Sequence, residues 1–393
     1  MTDGSSSFTR GRSVDVVVVG AGIAGLSAAA EIARFASVAV VEAERTVAFH
    51  ASGRSAAVFL SNYGNEVIRQ LTAASRSWYD NRGEGATHYT LLTPRGALVL
   101  ANLDDEISAT GLHVSPVART LSRAEAYAIW PALRPERIQA AWLLPSDFVL
   151  DIDVSETLTA WRRQARSRGA TIDTSCRATA LQATSEGWEI TTGSSATVRH
   201  WRARVVVNAA GAWADSVAEL AGLAPLGIVP LRRTALTFRA GELAHEKWPM
   251  LLSVASDFYI KPERGLFLAS PADESPSAAI DARPEQIDLA RTLDRVRRET
   301  TLPARSVRAA WAGLRSFAPD RSLVIGRDPR SPAFLWCAGQ GGYGFQTAPA
   351  CAVITALAAA DALGVSSIAA TDASANAASS GLASLVHPKR FLP

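Results

Sequence analysis

The sequence has little lysine, cysteine, methionine or histidine. Of its 40 basic residues only Lys247, Lys261 and Lys389 are lysine; the rest are arginine. Arginine supplies planar forks that grip anions bidentately, although most arginines in a chain this long serve the surface. The 40 Lys and Arg against 37 Asp and Glu leave a net charge of +3, which argues against a nucleic-acid partner. Cys176, Cys337 and Cys351 form no C-x-x-C pair, and their odd number argues against a disulfide framework. A reducing, cytoplasmic setting is expected. The six histidines show no H-x-x-x-H spacing, so no metal site is expected. Long unbroken apolar runs are also missing. Arg10 and Arg12 precede an apolar stretch, residues 14–30, that mimics a signal peptide, but Asp15 and regularly spaced glycines interrupt it. The Ala-rich stretch at 350–362 follows a glycine loop, and a packed helix is expected there, with no membrane span. At 48% hydrophobic and 20% charged the composition is globular, and 393 residues allow two or three domains.

What is present is concentrated first in the N-terminal fifty residues. Residues 14–19 are a β-branched run that suits a strand buried on both faces. The run enters Gly20-Ala21-Gly22-Ile23-Ala24-Gly25, then a helix-like stretch to Phe35, then a second apolar strand at 38–41 that ends at Glu42. This is the dinucleotide-binding arrangement. Gly20 permits the tight turn, Gly22 lets the backbone approach a pyrophosphate, and Gly25 lets helix and strand pack closely. The helix N-terminus offers N–H groups to phosphate, and Glu42 offers an acceptor to a ribose hydroxyl.

Two later segments repeat the transition from strand to glycine. One runs from Val205 through Asn208 to Ala210 and Gly211, followed by Trp213 and Asp215 on a helix. The other runs from Phe334 to Gly339 and into Gln340-Gly341-Gly342-Tyr343-Gly344, with an Ala-rich helix after it. Any one of these is a common turn. Three of them along the whole chain suggest one long cofactor touched at several points, which favours FAD over NAD.

Several further segments carry a family resemblance. They are Gly53-Arg54-Ser55-Ala56-Ala57, Leu71–Arg76, Trp248–Leu251, Phe258–Pro262, Trp311–Phe317 and Gln340–Gly344. With the glycine motif they make the chain resemble the D-amino-acid oxidase superfamily of FAD oxidoreductases, and within it the bacterial D-arginine dehydrogenases. The resemblance implies an α/β fold. An FAD-binding Rossmann-like domain (1–60, 149–225 and 306–393) would interleave with a substrate domain (61–148 and 226–305) built on a mixed or antiparallel sheet with helices. It implies cofactor contacts from Gly20, Gly22, Ile23, Ala24, Gly25, Glu42 and Ala43. Further contacts would come from Gly53, Arg54, Ser55, Ala56, Ala210, Gly211, Trp213 and Gly313, and from Gly339, Gly341, Gly342, Tyr343 and Gly344.

Local patterns fill in the organisation. Residues 69–80 read as a helix, and 89–100 as strand with a turn at Pro94-Arg95-Gly96. Asp153 and Glu156 stand at capping-box spacing. Strands are expected at 171–175, 188–192, 198–208 and 233–239, and a hairpin around Pro262-Glu263-Arg264-Gly265. Residues 286–299 read as an amphipathic helix with a solvated arginine face. The Ala/Ser-rich stretch at 366–381 reads as a loose loop. No internal repeat is seen.

The chemistry implied by the resemblance is oxidative deamination of a D-amino acid, with hydride passing from the substrate Cα to flavin N5. That needs a grip on the substrate carboxylate, for which an arginine fork is suited. Arg315 is the expected clamp, assisted by Tyr259, with Tyr63 and Arg232 placed nearby by resemblance and Gln340 near the substrate amine. The helix after the glycine loop would oppose the negative charge of a reduced flavin. No catalytic base stands out; His50 is a candidate. Phe317 and Ala318 follow the clamp where some relatives carry a linking cysteine, so non-covalent FAD is expected. The acid that meets a substrate guanidinium in D-arginine dehydrogenases aligns with Ala97, and Val58 and Leu60 replace more polar residues. A cationic side chain would lack a partner there, so neutral or apolar D-amino acids are expected. A glycine/sarcosine-type amine oxidase and an FAD-binding protein without turnover remain alternatives. The expected partners are a small amino-acid substrate and an electron acceptor, quinone or oxygen, with a leaning towards a non-oxygen acceptor. The chain is expected to be a monomer or weak homo-oligomer.

Overall fold

Val16, Val17 and Val18 are inaccessible to solvent, as a β-branched run flanked on both sides demands. Burying each such side chain is worth roughly 1.5–3 kcal/mol. The computed structural model describes residues 11–81, 83, 87–103, 117–194, 197–239, 246–366 and 381–392. In it the strand Arg12–Val19 lies at the centre of an eight-stranded sheet. Val38–Val41 and Thr197–Asn208 flank it in parallel, with Val16 opposite both Val38 and Val205. Thr171–Asp173 extends the sheet beside Val38–Val41, and Ser331–Ala338 runs parallel to the end of Thr197–Asn208. Two antiparallel strands, Ala178–Thr184 and Gly187–Ser194, complete one edge.

This topology brings the three glycine transitions together. Val19 pairs with Asn208, and Asn208 pairs with Trp336, so the strands preceding Gly20, Gly211 and Gly339 end side by side. Ligands of open parallel sheets bind outside such carboxyl ends. The helix Ile23–Ile32 is buried along its whole length and packs against the helix Gly344–Leu363. The latter is long and apolar enough to cross a membrane, but 78% of its most apolar window is buried inside the protein. It closes with Gly364 in a left-handed conformation, φ +73°.

The second, nine-stranded sheet is mostly antiparallel. Its longest pair, at one edge, is Val229–Arg239 against Val307–Phe317. The family resemblance groups 306–393 with the cofactor unit. The 307–317 strand instead hydrogen-bonds into this second sheet, and the chain returns to the first at Val324–Asp328. The strand Ala97–Asn102 pairs in parallel with Met250–Ser253, making the sheet mixed. The expected hairpin forms from Tyr259–Glu263 and Leu266–Ser270, turning at Arg264 and Gly265, both at positive φ. The Gln286–Glu299 helix covers this sheet.

Some local expectations need revision. Asp153 caps its helix by accepting from Glu156 N at 2.9 Å, but Glu156 Oε2 accepts from Thr87 Oγ1 and does not complete the box. A reciprocal box forms at Ser122 and Glu125 instead. The arginine face of Gln286–Glu299 is not simply solvated. Arg295 pairs with Asp257, and Arg297 Nε donates to Ala304 O at 3.0 Å. The stretch expected as a loose loop at 366–381 lies, apart from its two end residues, outside the described residues.

Candidate active site

A cavity of about 1000 Å³ extends from the converging glycine turns to the face of the second sheet. At its sheet end the predicted Gly20, Gly22, Ile23, Ala24, Glu42 and Ala43 all contribute to the lining. Glu42 is held in place by backbone groups: Oε2 accepts from Ala21 N at 2.7 Å and Oε1 from Glu44 N at 2.9 Å. Gly25 is not in the lining. A Cβ there would sit 1.9 Å from Gly20 O, so this glycine serves close packing of helix on turn. Neither helix that points its N-terminus at the region, Ile23–Ile32 or Gly344–Leu363, has a side-chain cap. Such uncapped ends suit phosphate and other anions.

The remaining cofactor candidates divide in the same way. Arg54, Ser55, Ala56, Ala210, Gly211, Trp213, Gly313, Gly341, Gly342, Tyr343 and Gly344 line the cavity. A Cβ on Gly211 would meet no protein atom within 4 Å, leaving that space open. Gly53 and Gly339 lie behind the wall. A Cβ on Gly53 would come 2.4 Å from Ala48 O, and Gly339 turns the chain at φ +70°. Arg54 does not reach freely into the cavity; its Nη1 donates to Ala282 O and Ala312 O at 2.9 and 3.0 Å. His50 also lines the cavity, with Nε2 3.0 Å from Glu44 Oε1 and its ring 4.6 Å from that of Trp213.

At the other end the second sheet presents the charged groups. In the antiparallel pair of strands Leu231 is opposite Arg315 and Arg233 is opposite Gly313. Alternate residues of a strand share a face, so Arg315 and Arg233 project together into the cavity, and both line it. Arg232 falls on the opposite face. There it pairs with Glu285 and with Asp288 at 3.0 Å, and it lies 3.8 Å from Asp273. The expected contribution of Arg232 to the site is therefore corrected to Arg233. The dipeptide showed the pair of arginines, but only the sheet register shows which one faces inward.

Arg315 Nη1 donates to Tyr63 Oη at 3.2 Å, and the Tyr63 ring stands 5.0 Å from that of Tyr343. Tyr259 is buried and shares this wall. Burial works against the Arg315 charge, but the phenols of Tyr63 and Tyr259 more than offset it and hold its pKa above the ordinary arginine value. Arg233 moves the other way: burial and the Arg315 charge both lower its pKa. The two guanidinium groups thus form a repelling pair that an added carboxylate would relieve. Gln340 lines the cavity, although its Nε2 is directed at Cys337 Sγ, 3.8 Å away. Val58, Leu60, Met250 and Leu252 supply apolar wall, whereas Ala97 is fully buried and outside the lining.

The sequence reading missed Glu274 and Arg321, which also line the cavity. Neither sits in a recognisable motif, and the contact between them spans 47 positions. Among the described residues no group of three or more His, Cys, Asp or Glu could hold a metal ion.

A parallel sheet whose glycine turns converge on an elongated cavity, with uncapped helix ends and an acid at the ribose position, defines a flavin-dinucleotide oxidoreductase. The chain belongs to the FAD dependent oxidoreductase (DAO) family, whose model matches residues 15–358. Among solved structures it resembles glycine oxidase from Geobacillus kaustophilus, with TM-score 0.75 and 21% identity over 92% of this chain and 97% of that one. It resembles L-proline dehydrogenase from P. horikoshii equally well, with TM-score 0.75 and 20% identity over 97% and 98%. An L-amino acid deaminase from Proteus vulgaris matches at TM-score 0.70 and 18% identity, over 93% and 94%. These likenesses are in fold. The cofactor is FAD, and the residues at the converging turns fit it.

Proposed function

We propose that the protein oxidises small α-amino acids with neutral side chains, D-amino acids first, by FAD-dependent oxidative deamination. The observation that carries this reading is the wall formed by Arg315, Arg233, Tyr63 and Tyr259 at the end of the cavity away from the ribose acid. Two arginines and two phenols suit one carboxylate through charge-assisted hydrogen bonds. FAD, when bound, accepts the hydride lost from the substrate Cα. The chain's own part is to hold that carbon in one orientation and to exclude water from it. Arg315 and Arg233 grip the carboxylate, and Tyr63 fixes Arg315. Val58, Leu60, Met250 and Leu252 give a side chain an apolar environment. The likeness of sequence segments to D-arginine dehydrogenases supports the D configuration, while the apolar lining supports a different side chain.

We further infer non-covalent FAD, an acceptor other than oxygen, and a cytoplasmic setting consistent with three buried free thiols. The sequence segments 1–60 and 149–225, with the chain after about 318, are assigned to the cofactor unit, and 61–148 and 226–317 to the substrate unit. Glycine and the secondary amine sarcosine would engage the same carboxylate wall, so they belong in the test. Anaerobic bleaching of the flavin is followed with D- and L-amino acids, glycine and sarcosine in turn. Rapid bleaching by neutral D-amino acids is expected. Reduction by sarcosine alone would replace this reading with an amine oxidase, and reduction by none of them would leave an FAD-binding protein of another kind. Re-oxidation by air against a quinone then identifies the acceptor.

A further inference from the structure

Among the acids that line the cavity, Glu274 is the one paired with the carboxylate wall, through Arg233. Glu274 lies between two arginines: Arg321 Nη2 donates to its Oε1 and Oε2 at 3.0 and 2.9 Å, and Arg233 Nη2 donates to Oε1 at 3.2 Å. The loop that bears Arg321 is braced. Its guanidinium lies 4.0 Å from the Phe317 ring centroid, and its backbone, at φ +60°, donates to Ala318 O. Arg390 ties down the neighbouring positions through Asp320 Oδ2 at 2.7 Å and Leu323 O at 2.7 Å. Both side chains are partly exposed, Arg321 at 47% and Glu274 at 34%, so the pair sits at the solvent side of the cavity wall, on a braced loop.

That place is within reach of a substrate side chain. A carboxylate bound to Arg233 would lie about 2.8 Å from its guanidinium. Glu274 is already 3.2 Å from the same group. If both carboxylates met the same nitrogen of Arg233, their oxygens would be about 6 Å apart at most, by the usual charge-assisted contact length. The second carboxylate of an aspartate- or glutamate-like substrate spans a similar distance. It would find Arg321 and Arg233 already engaged by Glu274. A substrate ammonium or guanidinium would find Glu274 already neutralised by Arg321.

We propose that Glu274 and Arg321 form a charge filter that selects neutral side chains, a proposal that rests on the amino-acid reading above. Glu274 occupies Arg321 and part of Arg233, so an acidic side chain finds no free cation there. Arg321 likewise occupies Glu274, so a basic side chain finds that acid already paired. The filter is a matter of discrimination, since an ion pair that is already satisfied leaves the desolvation of a charged side chain without compensation.

The test uses Glu274→Gln and Arg321→Gln holoenzymes and compares kcat/KM for D-Leu, D-Glu and D-Lys. Each value is divided by that for D-Leu, so general damage cancels. Glu274→Gln is expected to raise the D-Glu ratio about tenfold, and Arg321→Gln to raise the D-Lys ratio by a similar factor. Glu274→Asp, which keeps the charge, is expected to return the wild-type ratio. Changes that fall equally on all three substrates, or that run in the opposite sense, would overturn the filter. A second arm needs no turnover: the dissociation constants of acetate and succinate are read from perturbation of the flavin spectrum. Glu274→Gln should favour succinate over acetate relative to wild type, and Arg321→Gln should do the reverse. If succinate binding shifts in this way while no amino acid bleaches the flavin, the amino-acid reading fails and the filter stands. If amino acids turn over and neither ratio moves, the filter fails alone.

Discussion

Replacing Arg233 by Met, and separately Arg232 by Met, perturbs two adjacent arginines whose surroundings differ completely. Arg233 faces the cavity with Arg315, while Arg232 faces Glu285, Asp288 and Asp273 on the far side of the sheet. A hydrogen bond to a charged group contributes about 1.5–3 kcal/mol. Loss of the Arg233 contact should then weaken carboxylate binding about 10- to 150-fold, at 1.4 kcal/mol per factor of ten. Its effect on folding should be small, because Glu274 keeps Arg321 as a partner. Arg232→Met leaves Asp288 with only Arg291, 3.7 Å away, and removes the guanidinium 3.8 Å from Asp273; the side chains of these two acids are only 3% and 8% exposed. Breaking such a buried pair costs about 3–5 kcal/mol of stability. The assay is paired: acetate dissociation constant and amino-acid KM on one side, thermal unfolding of the holoenzyme on the other. Arg233→Met should raise the first two and barely change Tm, and Arg232→Met should lower Tm and leave binding by the folded protein near wild type. The reverse pattern, with Arg232→Met raising KM at unchanged Tm, would refute the assignment of faces.

Other perturbations follow from the same geometry. A Cβ at Gly342 would sit 2.8 Å from Arg315 Nη1 and 3.1 Å from Tyr63 Oη, so Gly342→Ala should displace the clamp. A raised KM with FAD still bound, checked by the flavin absorbance of the purified protein, is the expected result. Gly25→Ala meets backbone at 1.9 Å and cannot be relieved by a side-chain shift, so it should yield little folded protein and no bound flavin in an absorbance ratio. Asp328 is fully buried; burial would raise its pKa, but bonds from Arg330 and Trp336 more than reverse this and hold it below the ordinary 3.8. A depressed folded pKa stabilises above the unfolded value and is lost as pH falls through the folded one. Asp328→Asn should therefore lower Tm at pH 6, and the gap to wild type should shrink only below pH about 3.8.

What the sequence determined by itself was local. The β-branched strand, the glycine spacing and Glu42 are set by chain geometry within about fifty residues, and the fold keeps each in its expected place. Three strand-to-glycine transitions were readable in the same way, because a strand ending in a flexible turn is a property of neighbours. Arg315 stood out through a segment shared with a family. Tertiary structure decided the rest. Side chains alternate along a strand, so a shift of one position in register exchanges its faces. No local pattern in Arg232-Arg233 says which residue meets the cavity; the pairing of Arg233 with Gly313 does. The same applies to Glu274 and Arg321, which share one wall because Glu274 precedes Ser275, paired with Arg232, while Arg321 follows the end of the strand Val307–Phe317. A reading from sequence saw no acid to partner a charged substrate. The folded chain supplies one and neutralises it with an arginine, because electrostatics acts through distance in space and not along the chain.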